Sequence, residues 1–233
     1  MAVFSETQVS TTLVSRDERF PLSYAQRRLW FLSQLEGGTG AYHIPFGFRL
    51  RGFLDAEALG RALDCIVRRH EALRTVIESE SGEGFQRISD ASVARFHLLL
   101  QDLRSAGDAE VELDLLRSEE SQAPFDLEHG PLFRGRLIRL AEDEHVLLLT
   151  MHHIISDGWS VGILLHELST LYGAFHRGEK DPLPALEVQY ADYAVWQRQW
   201  QSSGTQMREG AYWQKALSGA PVHLELPDRK SVV

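Results

Sequence analysis

Cysteine is almost absent. Cys65 is the one cysteine in 233 residues, which excludes an intrachain disulfide and makes a cytoplasmic protein the default expectation. Cys65 falls inside a helical pattern and reads as a small core residue rather than a nucleophile. No apolar run approaches ~18 residues, so no membrane-spanning helix is expected. The first residues have neither the basic start nor the apolar core of a signal peptide. Positive charge is scarce too: 24 Lys and Arg face 33 Asp and Glu, for a net charge of −9. No basic stripe stands out, which argues against a nucleic-acid partner. No internal repeat is visible. Apolar residues, at 43% of the chain, suffice to bury a core, as one large domain or one and a half small ones.

The informative stretch is Met151-His152-His153-Ile154-Ile155-Ser156-Asp157-Gly158-Trp159-Ser160. Before it, Val146-Leu147-Leu148-Leu149-Thr150 is apolar almost throughout and reads as a fully buried strand. After it, Val161, Leu164, Leu165, Leu168, Leu171, Tyr172 and Phe175 recur at helical spacing, with Ser160 as the expected N-cap. The histidines therefore stand where a buried strand enters a turn. Neighbours in extended chain point to opposite sides, so one histidine should face a cleft and the other the protein. A histidine exchanges a proton near neutral pH. Asp157 can serve as a base, as a partner that fixes a tautomer, or as half of a buried ion pair. Gly158 admits positive φ or close backbone approach. The plainer reading is that both histidines are hydrogen-bonded core residues. Adjacent histidines do not place two ligands on one face, so a metal site is not expected.

The other segments read as follows. Residues 1–18 are polar and mixed, a flexible leader. Ser23 opens a short helix containing Gln26 and Arg28 and ending near Gly37-Gly38; those two side chains read equally as groups near a reaction channel or as a solvated face. Tyr42–Leu50 is a strand. Asp55 caps a helix with the stripe Leu59, Ala62, Leu63, Ile66 and Val67, and Arg68-Arg69-His70 at its end suit the helix dipole. Leu73–Glu78 and Phe85–Ile88 form a hairpin around a Gly-rich tip. Arg74, a charge at the start of an apolar strand, needs a carboxylate, and Asp157 is the candidate. Phe96–Leu100 is a strand and Ala109–Gln122 an acidic, largely solvated helix. Leu132–Leu140 and Glu144–Met151 make a second hairpin, whose first strand carries arginines that suggest a solvent-facing side. Residues 177–184 are polar and Pro-containing, a boundary. Two more helices follow, Glu187–Gln201, in which Trp196 and Trp200 share a packing face, and Gln206–Leu217.

Five stretches together resemble one family, the condensation domains of nonribosomal peptide synthetases. His152–Gly158 matches its HHxxxDG motif. Ser23–Trp30 looks like its S-x-A-Q-x-R-L-W motif, Arg69–Thr75 its R-H-E-x-L-R-T motif, and Tyr190–Trp196 its Y-x-D-[FY]-A-V-W motif. Pro124–Leu132 is also typical of it. The motifs occur in the family's order.

The resemblance implies an α/β fold, a chloramphenicol acetyltransferase-like lobe with a mixed β-sheet flanked by helices. It implies amide bond formation between thioesters carried by donor and acceptor peptidyl carrier proteins. His153 would stand at the reacting centre, as a general base or as the group that orients the amine and stabilises the tetrahedral intermediate. His152, Asp157, Gly158, Arg74 and Arg28 would support it, Asp157 by pairing with an arginine and Gly158 by letting backbone approach the substrate channel. No metal or dissociable cofactor is implied; the phosphopantetheine arm arrives on the carrier proteins. The histidine pair argues against the heterocyclising branch, and the order Trp159-Ser160 argues against the epimerising one. The family's later motifs are absent. The expected organisation is therefore a leader over 1–18, an N-terminal lobe over 19–178, and over 179–233 a linker and the truncated start of a second lobe, with no nucleic-acid or membrane partner. Two other readings stay open, a non-catalytic carrier-protein docking module and an oligomeric acyltransferase of the same superfamily.

Overall fold

Two sheets, six α-helices and two short 3-10 turns account for the regular structure in a computed structural model that describes residues 19–36, 40–202 and 205–221. The expected leader over 1–18, the helix end at Gly37-Gly38 and the tail beyond 221 lie outside the described residues. In chain order the elements are β1 (Phe20–Pro21), α1 (Tyr24–Glu36), β2 (His43–Arg51), α2 (Ala56–Arg69), β3 (Thr75–Glu80), β4 (Glu83–Ile88), β5 (Leu98–Asp102), α3 (Ala109–Gln122), β6 (Phe133–Ala141), β7 (Glu144–His152), α4 (Gly158–His176), α5 (Tyr190–Ser202) and α6 (Thr205–Ala216). The chain divides into two units, residues 1–196 and 197–233. The first holds both sheets; in the second, α6 is a 12-residue helix. None of the described helices is long and apolar enough to cross a membrane.

The larger sheet is mixed, in the order β2-β7-β6-β5, with β5 parallel to β6 and the other pairs antiparallel. Its centre is β7, buried from His145 to His152. Both of its faces are covered, which is why its sequence is apolar without alternation. Leu147, Leu149 and Met151 join one core with the α2 stripe (Leu59, Leu63, Ile66) and with Leu164, Leu168 and Leu171 of α4. Val146 and Leu148 point the other way, against Leu113 and Leu116 of α3. Each such leucine contributes roughly 1.5–3 kcal/mol on burial. Close approach of β6 to β7 requires Gly135, where a Cβ would lie 2.5 Å from Leu149 Cδ2 and 2.8 Å from the Leu148 carbonyl oxygen. The smaller sheet is antiparallel, β1-β4-β3, and the β3–β4 turn uses Ser81 (φ 53°) and Gly82 (φ 80°), the backbone a two-residue hairpin requires.

Several expectations need correction. The arginine face of β6 is only partly open to solvent. It lies under α3, where Arg134 Nε is 2.8 Å from the buried Glu120 carboxylate and its guanidinium stacks 4.0 Å over the Phe125 ring. Arg136 also approaches Glu120, at 3.8 Å. Arg74 is not in a strand but closes a short 3-10 turn, Glu71–Arg74. Cys65 is half-buried and packs against the main core, as expected; burial, with Asp181 3.2 Å from the thiol, raises its pKa to about 11. The first compact unit extends to Trp196, and the segment after α4 bonds back to α2. Arg69 donates to the Pro184 carbonyl, Gln189 Nε2 donates to the Arg69 carbonyl at 3.0 Å, and Gln189 Oε1 accepts from Glu71 N–H at 3.1 Å.

Candidate active site

The histidine pair sits at the end of the central strand, and strand parity separates its members. His152 shares the face of Val146, Leu148 and Thr150, toward α3. It is 5% exposed and packs among His43, Phe125 and Tyr42, with ring centroids 6.1, 5.9 and 6.5 Å away. Its Nδ1 accepts from Ile154 N–H at 3.0 Å, so that nitrogen carries no proton. Burial, with smaller contributions from His43 and His153, pushes its pKa down to about 4. His152 is therefore a neutral structural imidazole near neutral pH.

His153 is exposed. Its backbone N–H donates to the Tyr42 carbonyl at 2.8 Å, which continues the pairing of β2 with β7 for one residue into the turn. Its ring Nδ1 lies 2.8 Å from the Ser156 carbonyl oxygen. A carbonyl only accepts, so Nδ1 carries the proton. The lone pair of the neutral ring then sits on Nε2, the arrangement a general base needs.

Asp157 closes the turn, but it does not pair with Arg74. It is the N-cap of α4: Oδ1 accepts from Ser160 N–H at 2.8 Å and from Ser160 Oγ at 2.7 Å, while Asp157 N–H reaches back to Ser160 Oγ at 3.3 Å. Those bonds hold the Asp157 carboxyl below the usual range. The cap expected at Ser160 is thus the third helical position of a reciprocal capping box. Arg74 faces Glu71 at 3.5 Å and donates to the Ser89 carbonyl, so its carboxylate partner comes from its own turn. Gly158 is the first residue of α4, has no positive φ, and faces open space where a Cβ would be. Neither strain nor crowding within the described residues demands glycine there. Arg28 is exposed on α1. Gln26, by contrast, is buried and reaches the histidine turn through the Ile154 carbonyl.

Residues that periodicity did not mark complete the surroundings. Glu167 of α4 is 6% exposed and receives Arg69 Nε at 3.0 Å and His70 Nε2 at 2.6 Å. The basic end of α2 therefore has a buried carboxylate partner besides its own dipole. A mostly apolar cavity of about 170 Å³ lies beside the turn, lined among others by Ile66, His70, Leu73, Ile155, Ser156 and Tyr190. Trp159, next to Gly158, is 82% exposed. Among the described residues no cluster of His, Cys, Asp and Glu has the arrangement of a metal site.

A family model described as Condensation domain matches residues 16–232. The chain belongs to the condensation domains of nonribosomal peptide synthetases. Malpibaldin synthetase of Mortierella alpina is 50% identical over 214 residues, 92% of this chain and 4% of that protein. A linear gramicidin synthase of Brevibacillus parabrevis is 45% identical over 225 residues, 96% of this chain and 4% of that protein. Among solved structures, the X-domain from teicoplanin biosynthesis superposes with a TM-score of 0.77 at 32% identity, over 94% of this chain and 47% of that one. The starter condensation domain of rhizomide synthetase gives a TM-score of 0.79 at 22% identity, over 88% and 49%, a likeness of fold alone. The α/β architecture is thus the chloramphenicol acetyltransferase-like lobe that the motifs imply. The chain spans a small fraction of its curated relatives and about half of these solved domains.

Proposed function

We propose that this chain supplies the histidine-bearing part of a condensation enzyme that joins two carrier-protein-bound thioesters through an amide bond. The observation that carries the reading is the orientation of His153, with Nδ1–H tied to Ser156 and Nε2 left free on an exposed side chain. The substrates are an acyl or peptidyl thioester on a donor carrier protein and an aminoacyl thioester on an acceptor carrier protein. Both arrive on phosphopantetheine arms, so the reactive groups are brought to the protein rather than held by it.

Chemically, the acceptor amine attacks the donor carbonyl carbon. The C–N bond forms as the carbonyl pair moves onto oxygen. His153 Nε2 accepts a hydrogen bond from the amine, which orients it, and then takes the proton that attack makes acidic. Collapse of the tetrahedral intermediate breaks the C–S bond, and the departing thiolate takes the proton that His153 accepted, which returns the ring to its neutral form. His152 cannot share this work, because it is buried and its Nδ1 is engaged. Asp157 acts by fixing the start of α4 behind the turn. The remaining wall of the channel belongs to the rest of the synthetase.

Single-turnover condensation with loaded donor and acceptor carrier proteins, in the full synthetase that carries this chain, tests the reading. His153→Ala should slow product formation by on the order of 10²–10⁴-fold. Wild-type rate in that variant overturns the assignment of His153. Carrier-protein binding with no product from the wild type would instead identify a docking module.

A further inference from the structure

Gln26 connects the opening motif to the histidine turn through a fully used buried amide. It is 2% exposed. Its backbone N–H donates to Ser23 Oγ at 3.2 Å, and its Oε1 accepts from Ser23 N–H at 3.0 Å, the reciprocal box that starts α1. That box fixes which end of the amide is oxygen. Nε2 then has two hydrogens to place. One goes to Gln86 Oε1 at 3.0 Å and the other to the Ile154 carbonyl at 3.3 Å. Ser23 Oγ also lies 2.9 Å from the Tyr190 hydroxyl, so the start of α5 is tied into the same network.

Ile154 follows His153 directly. The peptide before His153 is held at Tyr42 O, the next N–H at His152 Nδ1, and the His153 ring at Ser156 O. The contact from Gln26 fixes the peptide after Ile154. A buried primary amide carries a desolvation cost that an apolar side chain of the same length avoids. What it adds is direction, since a satisfied polar network specifies one arrangement of the groups it joins. We propose that Gln26 is a positioning residue for His153: by holding the Ile154 carbonyl it sets the direction in which Nε2 meets the attacking amine. The inference rests on the role of His153 given above.

The test compares four variants of the full synthetase by single-turnover condensation. Gln26→Glu keeps the length and the acceptor that caps Ser23, but replaces the donor facing Ile154 with an acceptor. Gln26→Met keeps the length without either group and decides the matter if the first variant does not fold. Leu113→Ala is a destabilising control in the separate core beneath α3. His153→Ala checks the underlying reading. Both Gln26 variants should be slower by on the order of 10- to 100-fold, with carrier-protein KM unchanged, while Leu113→Ala melts earlier and keeps its rate. The ¹⁵N signals of the His153 ring should lose their Nδ1–H pattern in the Gln26 variants and keep it in Leu113→Ala. A wild-type rate in the Gln26 variants with an inactive His153→Ala overturns the role of Gln26 alone. Equal slowing in Leu113→Ala reduces Gln26 to general stability and overturns it as well. Full activity in His153→Ala removes the reading on which both assignments stand.

Discussion

The Nδ1 of His153 and the carbonyl oxygen of Ser156 lie 2.8 Å apart within one turn. The bond joins a side chain to the backbone three residues on, so no substitution at position 156 other than one that reshapes the backbone removes the acceptor. It selects the Nδ1–H form of the neutral ring. Long-range ¹H–¹⁵N spectra of the His153 ring above neutral pH should show Nδ1 as the protonated nitrogen and Nε2 as the bare one. The opposite pattern would put the proton where the amine's hydrogen must go, and a base at Nε2 would then be excluded.

His152 imposes a pH dependence on stability rather than on chemistry. Its folded pKa is pushed down to about 4 by burial and by its histidine neighbours, against about 6.5 for an unfolded histidine. Between those values the unfolded chain binds the proton and the folded one does not. The stability is therefore complete above about pH 6.5 and is lost as pH falls toward about 4. His145, also lowered by burial, contributes in the same direction. His152→Asn can still accept from Ile154 N–H, but it cannot titrate. Denaturant unfolding of this variant between pH 7 and 4 should show a shallower decline than wild type, and identical slopes would refute the buried neutral histidine.

Glu167 tests the union of α2 with α4. Its carboxylate is buried and is met by Arg69 and His70. Removing it leaves the Arg69 guanidinium short of its partner in a site where side-chain exposure is 12%. Loss of one member of a buried pair costs about 3–5 kcal/mol. Glu167→Ala should unfold in urea with that deficit, and Glu167→Gln with less of it, because the amide oxygen still accepts. A deficit below ~1 kcal/mol for the alanine variant is what exposed ion pairs give, and it would mean that water already reaches the site.

Asp157 separates a helix cap from an ion pair. Its bonds run to Ser160, and Arg74 pairs with Glu71. Asp157→Ala should cost about 1 kcal/mol, and Asp157→Asn little, since asparagine caps as well as aspartate. In a double-mutant cycle, Arg74→Ala and Asp157→Ala should add to within about 0.5 kcal/mol. A coupling well above that would restore the ion pair that a charge at the head of an apolar stretch suggests.

Much of this is legible in the sequence. The stripe of α2 and the unbroken apolar run of β7 each reflect one face or both faces of a buried element. The opposite orientation of His152 and His153 follows from strand parity alone. What periodicity could not show was which element covers a face. The arginines of β6 look solvated until α3 is folded over them and Glu120 is turned inward. Glu167 looks like an ordinary surface carboxylate on α4 until α2 is laid against it. The Asp157–Ser160 box is reciprocal, so either end reads as the cap in one dimension. Arg74 belongs to a four-residue 3-10 turn, too short to leave a period.

Gly158 offers the sharpest division between folding and function. It begins α4 with nothing within 4 Å of an added Cβ and without positive φ. Its conformation is one that alanine adopts freely, and alanine loses less backbone entropy on folding. Gly158→Ala should therefore melt at the wild-type temperature or above, with a gain of up to about 1 kcal/mol. Any requirement for a bare peptide at Gly158 would then have to come from a substrate, not from the fold. If a carrier-protein arm runs along it, the added methyl raises KM for loaded carrier protein, and Gly158→Leu raises it further, with stability intact in both. Wild-type kinetics in Gly158→Leu would show that no substrate passes over this helix start, and the approach to His153 would have to come from the side of the turn away from α4.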